Sequence, residues 1–317
     1  MQRDGASRYI HDLLNDSPRK IDATDGSPAA IERCGRLPTS AAFHLAFPMV
    51  GGTSLDAPAG GAAGSPRLLL VDVTAFPKHG DQWVAVGRQY CGALVKISNC
   101  QVAVSTALLA DQLAWPMTME LYVPEDWAED ADRRARADIP RTLRFHPKWR
   151  IGLRHVRQVR AAGIQIDGVL ADAADGNVHA FRTAVDHMGL RYAVGVASLL
   201  TVHVTGARRR YKIGRVSKQL ARRAWRRVAW AQGMKGPLAA RFAALRVRPI
   251  ARGPECWLLA ERPLTTRGER KAYLFFDTSR ETRLSLHRQR SHPAALILSR
   301  LKHVVAGLST NATVGHV

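Results

Sequence analysis

The order of apolar segments between residues 67 and 200 constrains the fold of this chain more than any other feature. Residues 68–74 form an apolar run of strand length that a Phe-Pro-Lys-His-Gly turn closes, and two further strand-like runs follow at hairpin spacing. Helical and strand-like patterns then alternate up to residue 196. The pattern predicts the order β-β-β-α-β-α-β, an α/β fold in which a mixed sheet is flanked by helices. The predicted elements are strands at 68–74, 99–109, 115–123, 166–170 and 192–196, and helices at 126–138, 149–162 and 178–188.

Charge is the second constraint. Residues 187–254 contain 16 Lys and Arg and no Asp or Glu, and the whole chain has a formal net charge of +21. A block of this kind can be an ordinary solvated surface, but its excess positive charge favours double-stranded DNA as the partner. Short strands are predicted at 246–250, 256–260 and 272–276, so the block belongs to a basic, β-rich region.

One part of the basic block has helical spacing. Lys218, Arg222 and Arg226 are four residues apart, and an apolar row at 220, 224 and 228 runs beside them. This spacing predicts a helix that docks by one face and presents a basic face to solvent. The residues expected to contact DNA are Arg208, Arg209, Arg210, Lys212, Lys218, Arg222, Arg226 and Lys235.

Other classes of protein are less consistent with the sequence. The four cysteines contain no CxxC pair, so neither a disulfide framework nor a zinc site is expected, and reduced thiols in a cytoplasmic protein fit best. The chain shows neither a secretory leader nor an apolar run long enough to span a membrane. Residues 26–66 are rich in Ala, Gly, Pro and Ser without periodicity, which predicts a loose or partly disordered segment.

Two aspartates follow apolar strands. Asp72 and Asp172 are each expected where a buried strand reaches solvent, a position suited to binding a hard divalent cation such as Mg²⁺ or Mn²⁺. Two such carboxylates can support metal-dependent cleavage of a phosphodiester. The alternative is purely structural: Asp72 caps the turn at 76–80, and Asp172 and Asp175 cap the following helix.

Several motifs, in order and spacing, resemble those of the DDE-type transposases of bacterial insertion sequences, and the insertion sequence 701 group is the most similar. They are VDVTAFPKHG at 71–80, VGRQYCG at 86–92, NCQVAVS at 99–105, LYVPEDW at 121–127, LADAADGN at 170–177 and GMKGPLAARF at 233–242. The resemblance implies an RNase H-like fold and a metal-dependent DNA cutting and joining reaction at element ends. It also implies that Asp72 and Asp172 are two of three acidic metal ligands.

The sequence departs from that family in three places. Val73 stands where a second aspartate is common, and Ala174 replaces a glycine after the second acid. The helix that carries the third acid, a glutamate, is not recognisable, and residues 282–317 contain no acid at all. Glu281 is therefore the remaining late glutamate, outside the family's usual context. Both ends of the chain resemble translations of a shifted reading frame.

The sequence thus predicts a DNA transposase that is catalytically incomplete, acts on the terminal repeats of an insertion sequence and forms a homodimer on DNA. The alternative is a non-enzymatic DNA-binding remnant that occupies element ends. The expected organisation is a loose segment at 1–66, an RNase H-like catalytic core at 67–200, a basic β-rich insertion at 201–276 and a divergent tail at 277–317.

Overall fold

The computed structural model of the chain describes residues 44–46, 67–81, 83–110, 113–137, 139–140, 143–233, 236–250, 253–265 and 270–276, all within one compact unit, residues 43–317. In this part of the chain the protein is a mixed α/β structure with one large sheet and few helices. The strands are β1 (His44–Ala46), β2 (Leu68–Pro77), β3 (Gly87–Cys91), β4 (Lys96–Ala110), β5 (Leu113–Tyr122), β6 (Gly168–Ala171), β7 (Arg191–Gly195), β8 (Thr201–Val204), β9 (Arg210–Lys212), β10 (Arg226–Gly233), β11 (Gly236–Arg248), β12 (Cys256–Pro263) and β13 (Lys271–Phe276).

The centre of the sheet is formed by five strands in the order β5-β4-β2-β6-β7. β2 pairs antiparallel with β4 along its whole length and parallel with β6, and β6 pairs parallel with β7. The predicted mixed sheet is confirmed, and its strand order is consistent with an RNase H-like fold. β3, which was not predicted, forms a hairpin with the start of β4.

The helices are α1 (Glu125–Glu129), α2 (Ala131–Arg136), α3 (Lys148–Ala161), α4 (Ala173–Gly176), α5 (His179–His187) and α6 (Ile213–Gln219). The apolar sides of α3 and α5 pack on the side of the sheet to which Leu69 and Val71 of β2 point, and together they form the main core. The alternation along β2 explains this packing, because Leu69 and Val71 are buried whereas Asp72 is exposed. α3 approaches β2 closely at Gly152, where a Cβ would lie 2.7 Å from Cγ1 of Val71.

The helix predicted at 126–138 is two short helices. Asp130 interrupts it with extended backbone angles, φ −79° and ψ 101°, and its side chain accepts the N–H of Arg133 at 2.8 Å. Asp130 therefore caps α2, since a short carboxylate competes well for the unpaired N–H groups at a helix start. The long helix predicted at 149–162 corresponds to α3, and that at 178–188 corresponds to α5.

Residues 201–276 extend the same sheet. β13 pairs antiparallel with β7, and β12, β11 and β8 follow beside it, so these strands continue from the central five. The basic helix predicted here is wrong: Lys218 lies in α6, Arg222 in a 3-10 turn and Arg226 at the start of β10. Residues from 226 onward form a hairpin with β11 instead of a helix, because pairing with that strand satisfies their backbone groups.

Most of the two terminal segments lies outside the described residues. Within 1–66, residues 44–46 form β1, which pairs antiparallel with β5. Residues 277–317 are not described. Cys91, Cys100 and Cys256 are buried free thiols, which agrees with the absence of a disulfide framework in the described part of the chain. No helix in the described ranges is both long enough and apolar enough to span a bilayer.

Candidate active site

The register of two parallel strands brings Asp72 and Asp172 together. Val71 on β2 pairs with Ala171 on β6, and each aspartate is the next residue along the chain. Because neighbouring strands lie about 4.8 Å apart, the backbones at the two aspartates are separated by a similar distance. Both side chains are exposed at this edge of the sheet. Asp72 was predicted at the end of its strand, but β2 continues beside β4 to Pro77. The pairing of β2 with β6 does end at Val71, immediately before Asp72.

Hydrogen bonds orient both carboxylates. Oδ1 of Asp172 accepts the N–H groups of Ala174 at 2.8 Å and Asp175 at 3.4 Å, so the predicted capping of the following helix is confirmed for this residue. Oδ1 of Asp72 accepts the N–H of its neighbour Val73 at 2.8 Å, and so its bond is not made to the turn at 76–80. In both aspartates these hydrogen bonds are accepted by Oδ1. Within the described part of the chain, Oδ2 of each carboxylate is therefore available to another ligand.

Electrostatics couples the two aspartates to a third acid. Asp175, the third residue of α4, is 2% exposed. Desolvation, followed by the charges of Asp172 and Asp72, raises the pKa of Asp175 to about 7, while Lys148 opposes the shift. Desolvation also raises the pKa of Asp72; the N–H of Val73 opposes this rise, and the charge of Asp172 adds to it. Three carboxylates therefore share this edge, although sequence reasoning treated Asp175 only as a helix cap.

Lys148 is the cation of the site. It is the first residue of α3, the last helix of the connection from β5 to β6. A crossover helix runs antiparallel to the strands it connects, so α3 begins at the edge of the sheet where Asp72 and Asp172 lie. Its ammonium donates to Oε1 of Gln89 at 3.0 Å and lies 4.7 Å from the ring centre of Tyr122. Desolvation lowers the pKa of Lys148, while the charges of Cys100, Asp175 and Asp172 oppose that shift. No sequence motif marked this lysine.

Close packing fixes the loop that carries Asp172 and Asp175. A Cβ on Gly176 would lie 1.9 Å from the carbonyl oxygen of Gly195 on β7, so only glycine fits there. The buried guanidinium of Arg182 donates to the carbonyl oxygen of Gly176 from α5. Ala174, which replaces a glycine of the family pattern, lies in α4 and does not have a positive φ, so the fold does not require a glycine there.

The donor set suits a divalent cation in part. The carboxylates of Asp72 and Asp172 are adjacent and repel each other. A divalent cation such as Mg²⁺ or Mn²⁺, which binds carboxylate oxygens, would relieve that repulsion. Among the described residues, however, no group of three His, Cys, Asp or Glu side chains has the geometry to hold a metal ion. Glu281, the predicted third acid, and Asp277 lie outside the described residues.

The basic residues expected to contact DNA are dispersed over the later strands. Seven of the eight are described, and all seven are exposed. Arg210 and Lys212 lie in β9, the last strand of the sheet path, with Arg208 and Arg209 just before it; Lys218, Arg222 and Arg226 lie in three other elements. Lys235 lies outside the described residues. The structure therefore does not place these side chains on one helical face.

Comparison with known proteins identifies the class. Residues 54–237, more than half of the chain, match the family of DDE superfamily endonucleases, and the chain belongs to this family. Asp72, Asp172, Asp175 and Lys148 all lie inside the matched region.

Similarity to one curated relative narrows the class further. The chain is 28% identical over 137 residues to a protein of Microchaete diplosiphon described as a probable transposase for insertion sequence element IS701. The aligned region is 43% of this chain and 33% of the relative, so the chain spans about a third of that protein's length. The resemblance to DDE-type insertion-sequence transposases, recognised from the motifs, is confirmed.

Proposed function

We propose that this protein is a DNA transposase that cuts and joins DNA at the ends of an insertion sequence, with Asp72 and Asp172 holding Mg²⁺ or Mn²⁺. The observation that carries the proposal is the pairing of Val71 with Ala171, which sets two exposed carboxylates side by side on parallel strands. Membership in the endonuclease family and similarity to the IS701 relative support DNA as the substrate.

Each residue near the site has a role in this proposal. A bound divalent ion supplies an activated water and stabilises the oxygen that leaves the phosphodiester. Asp72 and Asp172 bind the ion through their carboxylate oxygens, and the N–H groups at the start of α4 hold Asp172 in place. Lys148, whose pKa responds to the charges of Asp175 and Asp172, attracts the phosphate that is to be cut. Gly176 and Arg182 hold the segment that carries Asp172 against β7, which keeps the Asp172 carboxylate beside that of Asp72.

We also propose that the cutting reaction is weak. The two paired aspartates supply only part of the anionic ligand set, and residues 282–317 contain no acid that could complete it. Asp277 and Glu281 are the acids that remain on that side. A hard cation that loses one anionic ligand is bound less tightly, and a second metal position is held poorly. Since insertion-sequence ends come in pairs, the active form in this proposal is a homodimer that binds one terminal repeat per subunit.

Two measurements test the proposal. Binding of Mn²⁺ to the full chain, followed by electron paramagnetic resonance, should weaken at least tenfold in Asp72→Ala and in Asp172→Ala, whereas the exposed Asp132→Ala in α2 should bind like the wild type. Cleavage of duplexes that carry element ends, in Mg²⁺ and in Mn²⁺, should be slow in the wild type and lost in the same two variants. Equal Mn²⁺ affinity in all four proteins would refute the assignment of the metal ligands.

A further inference from the structure

Four arginines form a row across the later strands. Arg227 on β10 is the pairing partner of Arg241 on β11, and Arg241 is the pairing partner of Arg262 on β12. Arg270 immediately precedes Lys271, the partner of Glu261, so it is the next position opposite Arg262. Residues directly opposite one another point to the same side of a sheet, and these four side chains therefore share one side. We call them the arginine row.

The arginine row has a fixed member at its centre. The guanidinium of Arg262 lies 4.5 Å from the ring centre of Trp225, which is 8% exposed and packs on Ala243 and Ala260 beneath it. Stacking on a buried indole holds a guanidinium in place and leaves its N–H groups at the rim directed outward. Arg227, Arg241 and Arg270 are exposed.

The charges of the row repel one another. Like charges on directly opposite residues destabilise a sheet, and the row contains such pairs in succession. Desolvation, with the charges of Arg241, Arg270 and Arg222, lowers the pKa of Arg262, in keeping with repulsion between these guanidinium groups. Within the described ranges, no carboxylate forms an ion pair with any member of the row.

The other end of the same strand is different. Arg246 and Arg248 of β11 form ion pairs with Glu255 at 3.5 Å and 2.9 Å. Glu255 thus compensates part of the charge of two arginines of β11, whereas Arg241, five residues before Arg246, faces other arginines. An uncompensated row of this kind lowers stability unless an external anion binds it.

The length of the arginine row indicates what kind of anion can bind along it. Strands lie about 4.8 Å apart, so four arginines span roughly 14 Å, or about four base-pair steps of duplex DNA. Tyr273 on β13 is level with Gly195 on β7, and Gly195 is one residue beyond Val194, the partner of Ala171. Arg270 therefore lies about 10 Å beyond the level of Asp172 along the strand direction, on the side of the sheet to which Val71 and Leu274 point.

We propose that the arginine row binds the sugar–phosphate backbone of duplex DNA. The inference rests on the proposed function only in taking DNA as the polyanion. The row makes contacts that position the duplex and carry no sequence information, because phosphates are the same at every step.

The test is a salt titration of binding to a random 30-base-pair duplex, with the full chain in EDTA so that no cleavage occurs. The test variant is Arg227→Gln/Arg241→Gln, which changes two exposed members and leaves the Trp225 stack intact. Each lost phosphate contact reduces the slope of log K against log salt by about 0.9. The slope should therefore fall by about 2, and between 50 and 200 mM salt the wild type should lose about twelvefold more affinity than the variant.

Two controls separate this site from a general charge effect. Arg246→Gln/Arg248→Gln removes the same amount of charge, from the end of β11 that pairs with Glu255, and should leave the slope within about 0.5 of the wild type. Arg227→Lys/Arg241→Lys keeps the charge and should retain the slope. Circular dichroism melting should show that the Gln variant in the row is at least as stable as the wild type, since it relieves repulsion.

Three results would overturn the inference: an unchanged slope in the row variant, an equal fall in both Gln variants, or a row dependence seen with duplex RNA but not with duplex DNA. Because binding is measured without metal, failure of metal-dependent cleavage leaves this result intact. Conversely, loss of the row dependence does not affect the assignment of Asp72 and Asp172.

Discussion

Replacing Asp175 with Asn should stabilise the protein at alkaline pH. The Asp175 carboxyl is buried near Asp72 and Asp172, and its pKa rises from 3.8 to about 7 on folding. A difference of about 3 pH units corresponds to about 4 kcal/mol, at about 1.4 kcal/mol per unit. Asn has the same shape and carries no charge, so it avoids this cost above pH 7.

The sign of the pH dependence follows from the raised pKa. Between pH 3.8 and about 7 the folded chain keeps the Asp175 proton that the unfolded chain has released. The stabilising contribution of the protonated carboxyl is therefore complete below pH 3.8 and is lost as the pH rises through about 7. The advantage of Asp175→Asn should be near zero at pH 4 and reach about 4 kcal/mol at pH 8.

Urea unfolding at pH 4, 6 and 8 in EDTA measures this difference as the free energy of unfolding. Asp132→Asn, an exposed change in α2, is the matched control and should show no pH-dependent advantage. If Asp175→Asn were less stable than the wild type at pH 8, or if its advantage did not change with pH, the account of Asp175 as a buried, repelled carboxyl would be refuted. Addition of Mn²⁺ should reduce the advantage, because a cation on Asp72 and Asp172 screens their charges.

Three further outcomes are expected. Gly176→Ala should lower the free energy of unfolding by about 3 kcal/mol, because its Cβ would overlap the carbonyl oxygen of Gly195, whereas Gly92→Ala, with open space around it, should change little in thermal melts. Lys148→Met should raise the KM for a DNA substrate about tenfold without weakening Mn²⁺ binding, since it removes one charged contact to phosphate. Glu281→Ala should leave the slow cleavage unchanged; robust wild-type cleavage that this change abolishes would instead identify Glu281 as the third ligand.

The sequence predicted the central sheet well because its signals there are local. The apolar run at 68–74 and the helical period of α3 each lie within one element, and burial alternates as the pattern requires. The motifs also identified Asp72 and Asp172, whose adjacency then follows from the parallel pairing of β2 with β6. That pairing joins residues a hundred positions apart, which periodicity alone does not reveal.

The errors have a common physical cause, since spacing along the chain does not determine what a segment pairs with. Lys218, Arg222 and Arg226 have helical spacing, but residues from 226 onward pair with β11, and this long-range contact overrides local preference. Asp175 was interpreted as a cap because Asp favours that position, and its burial depends on β7, twenty residues later. The arginine row is visible only once the register of β10, β11 and β12 is known.

The direction of β13 limits which later residues can reach the two aspartates. β13 starts near the level of Asp172 and runs away from it, so that Phe276 pairs with Tyr192, about 10 Å below that level and two strands to the side. Phe276 is thus about 14 Å from Asp172 and further from Asp72. Five residues, the separation of Phe276 and Glu281 in the sequence, span about 17 Å when fully extended and about 7.5 Å as a helix, so a helical path toward Asp172 would leave about 6.5 Å for the two acidic side chains and a shared ion to bridge. Within residues 277–317 the acids are Asp277 and Glu281, so a third acidic ligand from this segment would be one of these two, and an acid of a second subunit is the alternative.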